Sequence, residues 1–170
     1  MMTIKIILRL VHILAGTFWA GATLMYVSSV QPAIRSSGPE GGRFMQRLVG
    51  STKYPMLMNL TSTLTVLVGL ILLWMDASFD TSWLLSREGI FFWIGGLAGL
   101  IAFLTGFFVM RPSAQKLGEL GKQIQSAGGQ PTPEQGSEMQ AIQKRMHTAE
   151  ISNTILIIIA LLTMATARAF

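Results

Sequence analysis

Four long apolar blocks constrain this chain more than anything else in it: Ile4 to Val30, Met56 to Met75, Ile90 to Met110 and Ile151 to Ala167. Each is near the ~20 residues that an α-helix needs to cross the hydrocarbon core of a bilayer. None shows the period-two alternation of a membrane β-strand. The fourth block is the shortest, and His147 to Asn153 can continue it as helix. Composition agrees, with 12% charged residues where a soluble domain carries about 25%. The expectation is an all-α integral membrane four-helix bundle with cytoplasmic helical extensions. It forms one domain over residues 1–170, with spans at about 4–30, 56–75, 90–110 and 148–167 and a cytoplasmic hairpin at about 111–147. The first block is too long for a signal peptide, and no small-residue cleavage site precedes a soluble remainder. It is therefore the first span.

The net charge of +5 is explained by its placement. Lys5, Arg9, Arg87 and Arg168 fall on the side of the termini. Arg35, Arg43, Arg47, Lys53, Arg111, Lys116, Lys122, Lys144 and Arg145 fall on the other, nine against four. The positive-inside rule then puts the two long connections in the cytoplasm of a bacterial inner membrane and both termini outside. Trp74, Trp83 and Trp93 fall near the outer interface, where indoles concentrate. The basic excess thus describes topology and contact with anionic lipid, and no nucleic-acid partner is expected. Cysteine is absent, which excludes a disulfide framework, a thiolate metal site and a cysteine nucleophile.

The connections carry helix signals of their own. Leu117, Leu120 and Ile124 keep helical spacing after Arg111, and "SAGGQPTPEQ" then breaks the chain. Thr132, Pro133 and Gln135 have the form of an N-cap, a first-position proline and a capping box. Met139, Ile142 and Met146 continue as a second apolar stripe, so spans three and four project as an antiparallel hairpin. In the shorter connection Ser37, Pro39 and Glu40 suggest a helix start, with Phe44 and Leu48 on its apolar side.

On span one Lys5, His12, Trp19 and Tyr26 recur every seven residues, with Arg9, Gly16 and Thr23 interleaved. Such spacings hold one helical face, and in lipid a polar face turns toward other helices. Span three offers Gly95, Gly99, Ala102 and Gly106 as a small-residue face for close helix approach. Span two offers Asn59, Ser62, Thr63 and Gly69, and span four His147, Glu150 and Thr154.

The stretch "LVHILAGTFWAG", with His12, Trp19 seven residues later and small residues around them, resembles the copper resistance protein D family of small four-helix bacterial membrane proteins. A more distant likeness is to the four-helix bacterial protoporphyrinogen oxidase, although the Leu-Pro-Arg and Tyr-His segment expected after Trp19 is absent. The resemblance implies copper handling in the outer half of the bundle, or a haem b or porphyrin held among the helices, with His12 and Trp19 as cofactor-binding residues.

Depth narrows the ligand sets. His12 lies ~12 Å outward of the midplane and His147 ~18 Å inward, so one haem iron cannot join two imidazoles on the order of 30 Å apart. A single-histidine site with Met75 or Met164 is open, since both are at roughly the depth of His12. Imidazole and thioether suit Cu(I), and His/Met is also an axial pair for haem. The alternative for His12 is packing, as a neutral ring donating to a carbonyl or threonine of a neighbouring span, with no cofactor. At the inner end Tyr26, Asn59, His147 and Glu150 fall at similar depth as a proton relay, a cation site or a satisfied interfacial pair. No nucleophile triad, phosphate loop or metalloprotease motif is present. The functional classes are a copper or redox-cofactor membrane protein, or a non-enzymatic accessory subunit whose basic hairpin meets a membrane-protein partner or a second copy. A porphyrin or quinone enzyme has the least support.

Overall fold

The computed structural model describes residues 2–77 and 81–169 and contains no strand among them. Five helices carry the fold: α1 Met2–Ser36, α2 Pro39–Ser51, α3 Tyr54–Ala77, α4 Arg87–Ser126 and α5 Pro133–Thr166. One helical turn at Thr81–Leu84 and a 3₁₀ turn at Ala167–Ala169 complete it. Four of the helices, α1, α3, α4 and α5, are long and apolar enough to cross a membrane. At 1.5 Å per residue α4 is ~60 Å long, about twice the thickness of a hydrocarbon core, so it must project beyond it.

The projecting parts form the expected hairpin. Gly128 and Gly129 take φ of 104° and 86°, values that glycine reaches without a Cβ penalty. The Gly129 N–H then closes the α4 terminus on the Ile124 carbonyl at 2.8 Å. Thr132 Oγ1 accepts from the Gln135 N–H at 3.2 Å, and Gln135 Oε1 accepts from the Thr132 N–H at 3.0 Å. The capping box is thus formed, and it restarts the chain as α5. Leu120 is buried between the arms, and Lys116 meets Glu138 across them at 3.3 Å.

The bundle is ordered as the chain runs. α4 packs most extensively on α5 and α1 on α3, with lighter α3–α4 and α1–α5 contacts closing the ring. Trp19, Ala20, Ala102 and Ile157 form the buried centre, with Met58, Val66, Phe103 and Leu156 around it. A large indole fits there because Ala102, fully buried, leaves room. Large aliphatic residues such as Leu14, Leu97 and Leu162 instead point outward, as a lipid-facing surface requires.

The small-residue face of α4 differs from the expected one. The buried positions are Gly95, Ala98 and Ala102, and a Cβ on Gly99 or Gly106 would meet nothing within 4 Å. Gly95 is the true contact: a Cβ there would lie 2.6 Å from Thr163 Oγ1 and 2.8 Å from Met164 Cγ. Spacings of three and four are both helical, and only the rotation of α4 against α5 selects between Ala98 and Gly99.

Two further features come from prolines inside long helices. Tyr26–Val30 in α1 and Gly106–Met110 in α4 are π-helical, directly before Gln31-Pro32 and Arg111-Pro112. A proline ring collides with the carbonyl four residues back and donates no hydrogen bond. The helix widens instead of breaking: Gln31 N–H bonds the Tyr26 carbonyl and Arg111 N–H the Gly106 carbonyl, each five residues back. A π turn holds one residue more than an α turn, so every position beyond it is displaced by about 100° around the axis.

Candidate functional site

The polar stripe of α1 does turn inward. Trp19 and Thr23 are buried, Lys5, Arg9, His12, Gly16 and Tyr26 are half-buried, and Ile6, Ile13, Leu14 and Phe18 face out. It organises two polar centres, one at the end of the bundle that carries the termini and one at the end that carries the hairpin.

At the termini end Lys5 pairs with Asp76 of α3, and Arg9 Nη2 reaches both Asp76 oxygens at 3.4 Å. Sequence reasoning missed Asp76, although it is the one acidic residue of α3 and ends that helix opposite two cations. One turn deeper, His12 Nδ1 lies 2.8 Å from the Thr65 carbonyl. A carbonyl only accepts, so Nδ1 carries the proton and Nε2 of the neutral ring keeps its lone pair. The ring rests on Gly69, where a Cβ would come within 2.8 Å of His12 Cε1, and Gly16 approaches Thr65 in the same seam.

The other residues expected around His12 are distributed as follows. Trp19 is in the apolar centre. Met164 packs over Gly95 in the α4–α5 seam, whereas His12 is in the α1–α3 seam. Met75 is half-buried beside Asp76. Among the described residues no group of three or more His, Asp or Glu side chains is placed to hold a metal ion.

The hairpin end gathers more chemistry than its sequence signal suggested. Glu150 is only 4% exposed and accepts a hydrogen bond from Gln31 Nε2. One turn away, Arg35 Nη2 donates to His147 Nδ1 at 2.9 Å. A guanidinium has no acceptor, so Nδ1 of this histidine is the accepting atom. Arg35 and His147 are within electrostatic reach of Glu150, as are Tyr26 and Tyr54. The Tyr26 hydroxyl itself points to Met45 Sδ of α2 at 3.8 Å. Three residues beyond Glu150, Asn153 is equally buried, and its Oδ1 has no hydrogen-bond donor among the described residues.

Of the four residues expected at this end, the structure brings Tyr26, His147 and Glu150 into one electrostatic cluster. Asn59 is exposed, in a groove lined also by Phe107 and Arg111. Gln31, Arg35 and Asn153 were missed. Asn153 had a signal, since it follows Glu150 by three on the same helical face. Gln31 and Arg35 had a misleading one: the α1 stripe at 16, 19, 23 and 26 extrapolates to 30, and the π turn moves it to 31. The proline that looks like the end of the helix is what aims Gln31 at Glu150.

Ionised carboxylates are seldom buried without compensation, because desolvation costs several kcal/mol per ion. Glu150 has a donor in Gln31 and the Arg35 cation within electrostatic reach, whereas Asn153 Oδ1 has no donor among the described residues. An unmet buried acceptor costs about 1–3 kcal/mol. Two oxygens on one face, a carboxylate and an amide, are the donor chemistry of a hard cation or of a proton shared with an acceptor. Comparison of the chain with protein-family models, curated proteins and solved structures finds no match.

Proposed function

We propose that this protein sits in a bacterial cytoplasmic membrane and takes up and releases a proton or a small monovalent cation at Glu150. The single observation that carries the proposal is the pairing of a buried carboxylate, Glu150, with the donorless Oδ1 of buried Asn153 one turn along the same face. Protonated Glu150 becomes an O–H donor, and a bound cation would draw on both oxygens. Ionisable groups inside membrane bundles mark ion and proton pathways by default. Arg35 at the exposed rim, hydrogen-bonded to His147, gives the centre a positive border toward the hairpin. The bias of nine basic residues against four supports placing that border in the cytoplasm.

The test is thermal unfolding of the whole protein in detergent, followed by tryptophan fluorescence. It is run from acid to alkaline pH and with lithium, sodium or potassium at constant ionic strength. A ligand that binds only the folded state raises stability by mass action. The wild type is expected to respond to pH or to one of the cations, and Glu150→Gln to lose that response while remaining folded. Equal responses in both proteins would refute the assignment.

A second reading, soft-metal or haem binding at His12 as the copper resistance protein D resemblance implies, is favoured by one observation. Histidines that ligate metals commonly donate their other ring N–H to a carbonyl, and His12 donates Nδ1–H to Thr65, leaving Nε2 for a ligand. Met75 and Met164 are the thioethers of that reading.

A further inference from the structure

The groove that contains Asn59 lies on the outside of the bundle, toward its hairpin end. It runs between the first turns of α3 and the π segment of α4. Met56, Asn59, Leu60 and Thr63 supply one wall, and Phe107 and Arg111 the other. Its volume is about 540 Å³, within the range of small-molecule sites. The α3–α4 contact is lighter than the α1–α3 and α4–α5 contacts, and Gly106 leaves open space beside it. The flanking residues Leu64, Leu104 and Phe108 are exposed apolar side chains, so in a membrane the groove opens to lipid.

Arg111 makes this groove more than a gap between helices. Its guanidinium stands 5.4 Å over the Phe107 ring, and it has no carboxylate partner within ion-pair distance among the described residues. The cation–π contact steers the charge toward the membrane side but leaves its donors unused. A guanidinium presents a planar fork that matches phosphate oxygens. Along α3, Met56, Asn59, Leu60 and Thr63 descend in that order from the hairpin end, so the amide of Asn59 is the polar group nearer the guanidinium, and Leu60 and Phe107 offer apolar walls beneath it. A cation with an amide next to it and apolar walls beneath suits a glycerophospholipid headgroup and the start of its acyl chain.

We propose that this groove binds an anionic glycerophospholipid, with its phosphate on Arg111, its ester region at Asn59 and an acyl chain along Leu60 and Phe107 toward Thr63. Complementary charge favours this occupant over a protein helix: the one charged group of the groove is a free cation, at the end of the bundle where basic residues concentrate. The site is independent of Glu150.

The experiment is native mass spectrometry of the delipidated full chain in detergent, titrated with phosphatidylglycerol or with phosphatidylcholine of the same chains. Wild type should retain phosphatidylglycerol preferentially. Arg111→Gln should weaken that binding by about tenfold, through the lost attraction of a basic residue near a membrane surface and the lost bidentate geometry. Arg145→Gln, on the exposed hairpin, should not. Asn59→Leu should weaken both lipids. Thermal unfolding of each variant separates misfolding from lost binding. The proposal is overturned if Arg111→Gln folds and binds phosphatidylglycerol like wild type, or if both headgroups bind equally. It is also overturned if inorganic phosphate displaces the lipid, since the groove would then hold an anion and not a lipid.

Discussion

Replacing Asn153 by leucine probes the buried centre where its chemistry is least compensated. The two side chains branch alike at Cγ, so the swap nearly conserves shape. It removes an acceptor that is buried with no donor among the described residues. The penalty for such an acceptor is about 1–3 kcal/mol, and near-isosteric changes in a packed interior cost under ~1.5 kcal/mol. The expected net effect is an increase in stability of ~0–2 kcal/mol. If Asn153 is also part of the site, the gain comes with a loss: the variant melts higher in the absence of ligand and no longer responds to pH or to the cation. Denaturation in mixed micelles with increasing dodecyl sulfate, repeated with and without the cation that wild type prefers, measures both. Destabilisation by more than ~1 kcal/mol, with the wild-type response intact, would refute the reasoning, because Oδ1 would then have a structural partner and no share in the site.

Two other outcomes follow from the packing. Gly95→Val should destabilise the bundle by about 1–3 kcal/mol, since Thr163 and Met164 occupy the space of the added atoms; Gly99→Val should change the unfolding midpoint little, and equal losses would mean that α4 is rotated from the orientation described. His12→Ala should abolish any copper or haem retained on purification, read from a metal analysis and a Soret spectrum, with the fold preserved; retention by the variant would remove His12 from the ligand set.

The candidate sites show where a sequence stops being informative. His147 and Glu150 stood out because they share one helical face three residues apart, just before an apolar block. Their partners Gln31 and Arg35 did not, because they lie on either side of a proline in what looks like a connection. Asp76 was overlooked at the end of its block for the same reason, being judged by its neighbours in sequence and not by Lys5 and Arg9 across the helix seam. Asn59 was grouped with Glu150 by depth alone, and depth says nothing of azimuth. Rotation about the helix axis turns Asn59 outward to the Arg111 groove.

The span count, the all-helical class, the inward stripe of α1 and the capped hairpin were determined by the sequence alone. All four are local properties, fixed by hydrophobic period, by backbone hydrogen bonding in lipid and by turn chemistry within a few residues. Which glycine touches a neighbour, which residue reaches Glu150 and which acceptor is left without a donor were decided by the tertiary structure. Those depend on how each helix is rotated against the next, and two prolines reset that rotation inside α1 and α4 by the width of one residue. A displacement of about 100° is invisible to a hydrophobicity profile. It is enough to exchange the residue that faces the bundle interior for the one that faces lipid.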